Sequence, residues 1–380
     1  MPEKLVPTRL AASVLLGLLA GCTGDRPKEP PRLGAARVGQ QPILNIHLYE
    51  NHSSALIAWR QEGVRERVVV HLDAHADLDW LPDETIAHIA ASLPGELSEL
   101  EMRPYAMDGT EMSRFCSRNF LYPAARLGIV RELFWVVPDG TFEEPSFAER
   151  LALDVLVGGM QMVTEEEAKG LRVEGKRIRG RLLGLPVTIC ELDDLPDLEE
   201  PVLLDIDLDF FTTRSAIDAN VGASPWIFPK AVIEALGRRG IRTDVVTVSL
   251  STMGGCVPPE SRWLGRALKD RLRAPAKRLD DEEQQRVEAE RAEASGDLEG
   301  ASRLYHRLLQ GRQDDATLWY ALARVLESSG RALEASKARE RAQSLDPLFA
   351  YADLFEGDRE WINGRYDAAL DGYGRTSGFF

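Results

Sequence analysis

The sequence predicts an α/β protein: a mainly parallel β-sheet with helices on both faces, followed by an all-α segment. Three observations point there. From about residue 42 to 275, short runs rich in Val, Ile and Leu alternate with helix-like stretches, and unbroken apolar runs mark strands buried on both sides. Two of these runs end in acidic clusters, and ligands in such folds gather at the carboxyl ends of strands. Beyond residue 275 the composition shifts to Ala, Glu, Arg and Leu, with an internal repeat.

The chain begins with Lys4 and Arg9 ahead of an apolar run, LAASVLLGLLA (10–20), too short to span a bilayer comfortably. The run leads into Leu19-Ala20-Gly21-Cys22. This junction resembles the lipobox of bacterial lipoproteins, and an ordinary signal peptide is the alternative. The resemblance implies a signal peptide over 1–21, cleavage before Cys22, and lipidation of Cys22 as an anchor in the bacterial envelope. Thr23, rather than Asp, follows the cysteine, which by the same resemblance favours the outer membrane. Residues 22–41, rich in Pro, Gly and charge, read as a flexible tether. The three other cysteines, Cys116, Cys190 and Cys256, are an odd number and too few for a disulfide framework.

Residues 42–275 carry six expected strands: PILNIHLY (42–49), VVVHL (68–72), ELFWVVP (132–138), PVTIC (186–190), PVLLDIDL (201–208) and DVVTVSL (244–250). Segments 54–63 and 229–240 read as helices between them. With 380 residues, 44% hydrophobic and 28% charged, the chain holds two domains or one large domain with an appendage. Its formal net charge of −15 argues against nucleic acid as a partner and is compatible with a site that collects cations.

In residues 276–380, three related segments begin at Gly296, Gly330 and Gly364, each 34 residues after the last. That is the tetratricopeptide period, and Leu345-Asp346-Pro347 falls where one unit would yield to the next. Glycine permits close packing at the turn, alanines allow stacking, and a concave face would serve a protein partner or a peptide. The stretch 276–290 reads as a helical linker or the start of the array.

The chemistry-bearing residues lie at strand ends. Asp73-Ala74-His75-Ala76-Asp77 follows one strand, Asp205-Ile206-Asp207-Leu208-Asp209 closes another, and His52 lies upstream in Glu50-Asn51-His52-Ser53. Carboxylates mixed with imidazoles suit Mn, Fe, Co or Zn. Six ligands, His52, Asp73, His75, Asp77, Asp205 and Asp207, are generous for one ion and appropriate for two. A solvated acidic loop is the plainer alternative for either cluster alone. His71 reads as a core histidine, with a hydrogen-bond partner of a metal ligand as the alternative, and Asp79 as a loop carboxylate. His88 is a candidate proton shuttle, with an ordinary helix-face histidine as the alternative.

D-x-H-x-D after one strand and D-x-D after a later one resemble the arginase and histone-deacetylase superfamily, a three-layer α/β/α sandwich. In finer detail the E-N-H segment, H-x-D-x-H-x-D-L and DIDLDFF are similar to a less characterised branch that includes peptide arginases. The likeness covers 42–275. It implies two divalent ions, Mn2+ first with Zn2+ or Fe2+ as alternatives, bridged by Asp73 and Asp205. His52 and Asp77 would complete one shell, His75 and Asp207 the other. An Asp near the bridge would manage the proton, with Asp77 and Asp209 as the candidates. Asn119, Ser251, Gly254 and Gly255 would line the substrate, although Asn119 can equally cap a helix.

The sequence departs from the better-known members. Ser249 and Ser251 stand where free arginases carry a guanidinium-gripping glutamate, and Cys256 stands near the tyrosine of deacetylases. The expectation is therefore hydrolysis of a linear C–N bond, with peptide-bound arginine giving ornithine and urea. The alternatives are a non-catalytic envelope scaffold and a deacetylase or amidohydrolase of the same superfamily.

Overall fold

The computed structural model describes residues 34–94, 96–97, 115–143, 146, 150–151, 162–216, 224–253, 255–276 and 280–376. Among them, nine strands form one mixed sheet. In chain order they are β1 (Ala36–Arg37), β2 (Ile46–Tyr49), β3 (Arg67–Leu72), β4 (Val130–Val137), β5 (Arg172–Val173), β6 (Arg177–Leu182), β7 (Leu185–Glu191), β8 (Val202–Asp207) and β9 (Arg242–Ser249). The spatial order is β1-β9-β8-β3-β4-β7-β6-β5, and β2 pairs with β9 further along the edge that β1 begins. Strands β2, β9, β8, β3, β4 and β7 run parallel, and these are the six apolar runs of the sequence.

The antiparallel strands β1, β5 and β6 escape the sequence reading. Strand β6, Arg-Ile-Arg-Gly-Arg-Leu, carries charge and a glycine where buried strands carry Val or Ile. Its hairpin to β7 turns through Leu183 and Gly184, both at positive φ (51° and 81°), the backbone that a tight two-residue hairpin requires.

Alternation along the strands divides the interior into two layers. Val69, Leu133, Trp135 and Leu203 point to one face, where they pack with Leu56 and Trp59 of α1 (Ser54–Gln61) and Ile86 and Ile89 of α2 (Asp83–Ala91). Val68, Val70, Phe134, Leu204 and Val246 point to the other. They pack with Val232 and Leu236 of the helix at Pro229–Arg238 and Leu264 and Leu268 of the helix at Trp263–Arg273. Pro229 opens the first of these helices, where its missing N–H is not needed.

Six further helices follow as three pairs: Asp280–Ala294 with Leu298–Gly311, Ala316–Ser328 with Ala332–Leu345, and Ala352–Ile362 with Tyr366–Thr376. Gly296, Gly330 and Gly364 occupy the turn inside each pair at φ of 83°, 74° and 73°. The 34-residue recurrence is thus a recurrence of one left-handed turn, which glycine adopts without steric penalty. The polar stretch before residue 290 is the first helix of this array. Asp297 and Asp315 cap the helices they precede, accepting from Gly300 and from Thr317 and Leu318.

From Ala35 onward the chain is one compact unit. Val287, from the first array helix, belongs to the same core as β8 and β9. Beside it the Arg286 guanidinium lies 5.0 Å from the Trp263 ring centre, and Trp263 Nε1 donates to Glu290 at 2.6 Å. Among the described residues no helix is long and apolar enough to cross a membrane.

Burial pushes the Glu290 carboxyl up to about 7 against the pull of Arg286 and Trp263. An acid raised in the folded state stabilises it fully only below the unfolded-state value, and that stability is lost as pH rises through the folded value. Stability from this group should therefore fall between about pH 4.5 and 7. Glu290→Gln, which keeps an acceptor for Trp263, should raise thermal stability at pH 8 by about 3 kcal/mol and leave it nearly unchanged at pH 4.5. Melting curves of both proteins at the two pH values measure this.

Candidate metal centre

The site grows from one face of the sheet. In neighbouring strands Val69, Leu203 and Val245 lie side by side, and two residues on the row becomes His71, Asp205 and Thr247. Asp207 then sits beside Ser249. Period-two alternation keeps each strand's series on one face, so this face changes from apolar to ionisable as it nears the carboxyl ends.

Asp73 is the first residue past β3. Its N–H donates to Val136 O at 3.2 Å and its carbonyl accepts from Trp135 Nε1 at 2.9 Å. Asp77, at φ 47°, turns the chain back, and its carbonyl accepts from Leu121 N at 3.1 Å. His52 hangs from the turn between β2 and α1, which Asn51 braces by accepting from the Ser53 hydroxyl at 2.8 Å. The ring of Phe120 packs against His52 at 4.7 Å.

These elements converge on the His52 imidazole. Nε2 is 2.8 Å from Asp205, while Nδ1 lies 3.1, 2.9 and 3.0 Å from oxygens of Asp73, Asp77 and Asp207. One ring nitrogen cannot satisfy three carboxylates, since it carries at most one proton. His52, Asp73, Asp77, Asp205 and Asp207 are all buried. His71, also buried, has Nδ1 2.7 Å from an oxygen of Asp205 and Nε2 3.3 Å from one of Asp73. Thr247 and Ser251 hydroxyls donate to Asp205 and Asp207, the latter at 2.5 Å.

Three groupings place ligand atoms close enough to share an ion: His52 with Asp73 and Asp77; Asp73 with His75 and Asp209; and His52 with His71 and Asp205. The residues also fit a cation by what they leave unmet. Nδ1 of His52, Nε2 of His71 and Oδ2 of Asp73 are buried without a hydrogen bond of good geometry, and such groups are rare unless something else engages them. These histidines and aspartates can hold metal ions, and Asp73 is common to two of the groupings.

Protons do part of that work in the metal-free chain. Burial opposes charge on Asp73 and Asp205, yet the neighbouring His71 and His52 hold both carboxyls below the usual carboxylate range. Burial also opposes charge on His52, but Asp205 and the other carboxylates raise it well above its ordinary value. Asp77 goes the other way, pushed up to about 6 by burial and by the charge of Asp73.

His71 takes the alternative reading: it is part of the cluster rather than a plain core residue. Its register opposite Asp205 puts it there, and register is invisible within a single strand. His75 has a half-exposed side chain, and its Nδ1 bonds Asp209 at 2.6 Å. The structure thus groups His75 with Asp73 and Asp209, while Asp207 lies on the His52 side. Asp209 is buried and also accepts from Ala74 N at 3.1 Å.

Of the other candidates Ser251 touches the cluster through Asp207, and the rest are dispersed. Asn119 accepts from Cys116 N at 3.0 Å and closes the short turn Ser117–Asn119 before the helix at Leu121–Arg126. Gly255 packs against the helix at Ala352–Ile362, where a Cβ would meet Arg359 N at 2.6 Å. Ser249 and Ser251 share a 2.8 Å hydrogen bond. Asp79 pairs with Arg118 at 2.9 Å, and His88 is exposed on α2. Cys22 and Gly254 lie outside the described residues. Cys116, Cys190 and Cys256 are free thiols, and burial pushes Cys256 up to about 12.

Metal ligation needs neutral imidazoles and ionised carboxylates, so binding must displace the protons that His52 and Asp77 hold. Mn2+ titrated into the metal-free protein at pH 6 should release at least one proton, read as a dependence of the calorimetric heat on buffer ionisation. Saturation at about 100 times the dissociation constant should add about 2.7 kcal/mol of stability. Asp205→Asn should abolish both effects.

The chain matches no protein-family model, and no curated protein matches it.

Proposed function

We propose that this protein is a metal-dependent, arginase-like hydrolase that cleaves a linear C–N bond, with the guanidinium of a peptide-bound arginine as its target. One observation carries the reading: His52, Asp73, Asp77, Asp205 and Asp207 meet within 3.1 Å of a single imidazole at the ends of three parallel strands. His52, Asp73, His75, Asp77, Asp205 and Asp207 would hold two ions, Mn2+ for preference. When bound, the ions supply Lewis-acid charge and a water acidic enough to act as nucleophile near neutral pH.

The chain's own residues do the rest. Thr247 and Ser251 orient the Asp205 and Asp207 carboxylates. Asp209 fixes the His75 ring through Nδ1, which leaves Nε2 to ligate. Asp77 and Asp209 are the candidates to carry a proton. Water adds to the guanidinium carbon, the bond to the side-chain nitrogen breaks, that nitrogen gains a proton, and urea leaves.

A cavity of 260 Å³, lined by Pro258, Pro259, Glu260, Glu356, Arg324 and Arg359 beside Tyr305 and Tyr320, lies where the array meets the sheet domain. In this proposal the helical pairs act as tetratricopeptide-like repeats that recruit a peptide or protein. The lipidated Cys22 and its tether would keep the whole in the bacterial envelope.

Purified full-length protein loaded with Mn2+ should release urea from an arginine-containing peptide in preference to free arginine. Asp77→Asn and Asp207→Asn should each lower the rate by about 100-fold or more. Binding of Mn2+ without urea release would overturn the arginase-like chemistry, and acetate released from an acetylated amine would replace it with deacetylation. A chain that binds no transition metal would remove the site altogether.

A further inference from the structure

Glu50, two residues before His52, has no part in the cluster, yet it touches the loop that shapes it. Its Oε1 accepts from the N–H groups of both Thr252 and Met253, at 2.9 and 3.0 Å. These are the two residues after Ser251, which donates to Asp207 at 2.5 Å. Ser251 sits at φ 46°, a conformation that a non-glycine residue keeps only when its surroundings hold it. Two backbone donors on one carboxylate oxygen are such a hold, because charge-assisted hydrogen bonds are the stronger kind.

The same carboxylate faces the array. Its Oε2 is 3.5 Å from Nη2 of Arg262, whose Nη1 is 3.6 Å from Asp346 Oδ2. Asp346 opens the turn between the second and third helix pairs and caps it by accepting from Leu348 N at 3.0 Å. Glu50 and Arg262 are 23% and 19% exposed, so water screens this pair less than it would a surface pair. On its far side the loop is closed by the array again, at Gly255 against Arg359.

We propose that Glu50 is a positioning residue that couples the helical array to the metal centre. Asp346 and Arg262 hold the Glu50 carboxylate, the carboxylate holds the strained loop, and the loop sets Ser251 on Asp207. The inference rests on the metal reading above for its effect on affinity, and on the described hydrogen bonds for its effect on the loop. Such a coupling is reciprocal: whatever displaces Asp346 weakens metal binding, and metal binding stiffens the contact with the array.

The test uses the full chain and three variants, with amide hydrogen exchange at Thr252 and Met253 and Mn2+ affinity as separate measurements. Glu50→Ala should speed exchange at both amides and lower Mn2+ affinity about 10- to 100-fold, the usual effect of losing a group that orients a ligand. Glu50→Gln keeps an accepting oxygen for the two amides but loses the charge that Arg262 holds, so it should restore both only in part. Asp346→Asn keeps the cap, because Asn serves equally well there, but removes the charge. It should still speed exchange at the two amides and lower affinity, by less than Glu50→Ala does. If Asp346→Asn leaves both unchanged, the coupling to the array is overturned; if Glu50→Ala does so, Glu50 positions nothing. Should the unmodified protein bind no Mn2+, the metal reading falls, and the exchange rates decide the coupling by themselves.

Discussion

Like charges crowded into a dry place are the constraint on which this structure turns. Asp73, Asp77, Asp205, Asp207 and Asp209 are buried within reach of one another, and an unpaired buried carboxylate is among the least tolerable groups in a folded chain. Protons on His52 and His71 meet part of the need. Divalent cations would meet it more fully, since each brings two charges to a point that several carboxylates share. The parallel order of β2, β3 and β8 exists in sequence as apolar runs, but its use is to bring three chain ends to that point.

Much of this was legible before any coordinates. The six long apolar runs are the six parallel strands, and D-x-H-x-D and D-x-D lie at the ends where such sheets bind ligands. What could not be read was anything that depends on lateral register. His71 precedes the first motif and looks like one more core residue; only its place opposite Asp205 brings it into the site. Thr247 is equally anonymous in VVTVS until β9 sets it beside the same aspartate. Strands β1, β5 and β6 were missed for a different reason. Strands β1 and β5 are two-residue edges with a partner on one side only, and β6, though paired on both sides, carries arginines and a glycine in place of an apolar run.

Asn119 shows how a motif and its role separate. The residue is buried near Phe120, which does touch His52, yet its amide oxygen accepts from Cys116 N and its nitrogen donates to Cys116 Sγ. Its contribution reaches the site through the turn that seats Phe120. Glu50 is the converse case. It is part of the E-N-H segment singled out in the sequence, but the partner that gives it meaning lies some two hundred positions away, on the loop after β9. Local sequence can nominate such residues; only the closed sheet says what they hold.

The insertion of Val287 into the core beneath β8 and β9 bears on how this chain came to have its shape. Modular proteins exchange appendages freely when the join is a solvated linker, because neither side notices the loss. Here the first array helix supplies part of the floor on which the sheet rests. A lineage that traded the tail for another would inherit a sheet with an open flank, and would have to repair Trp263, Leu268 and Leu272 before the trade could be kept. Sheet and first array helix therefore share one core, and neither can be cut away without exposing apolar surface on the other.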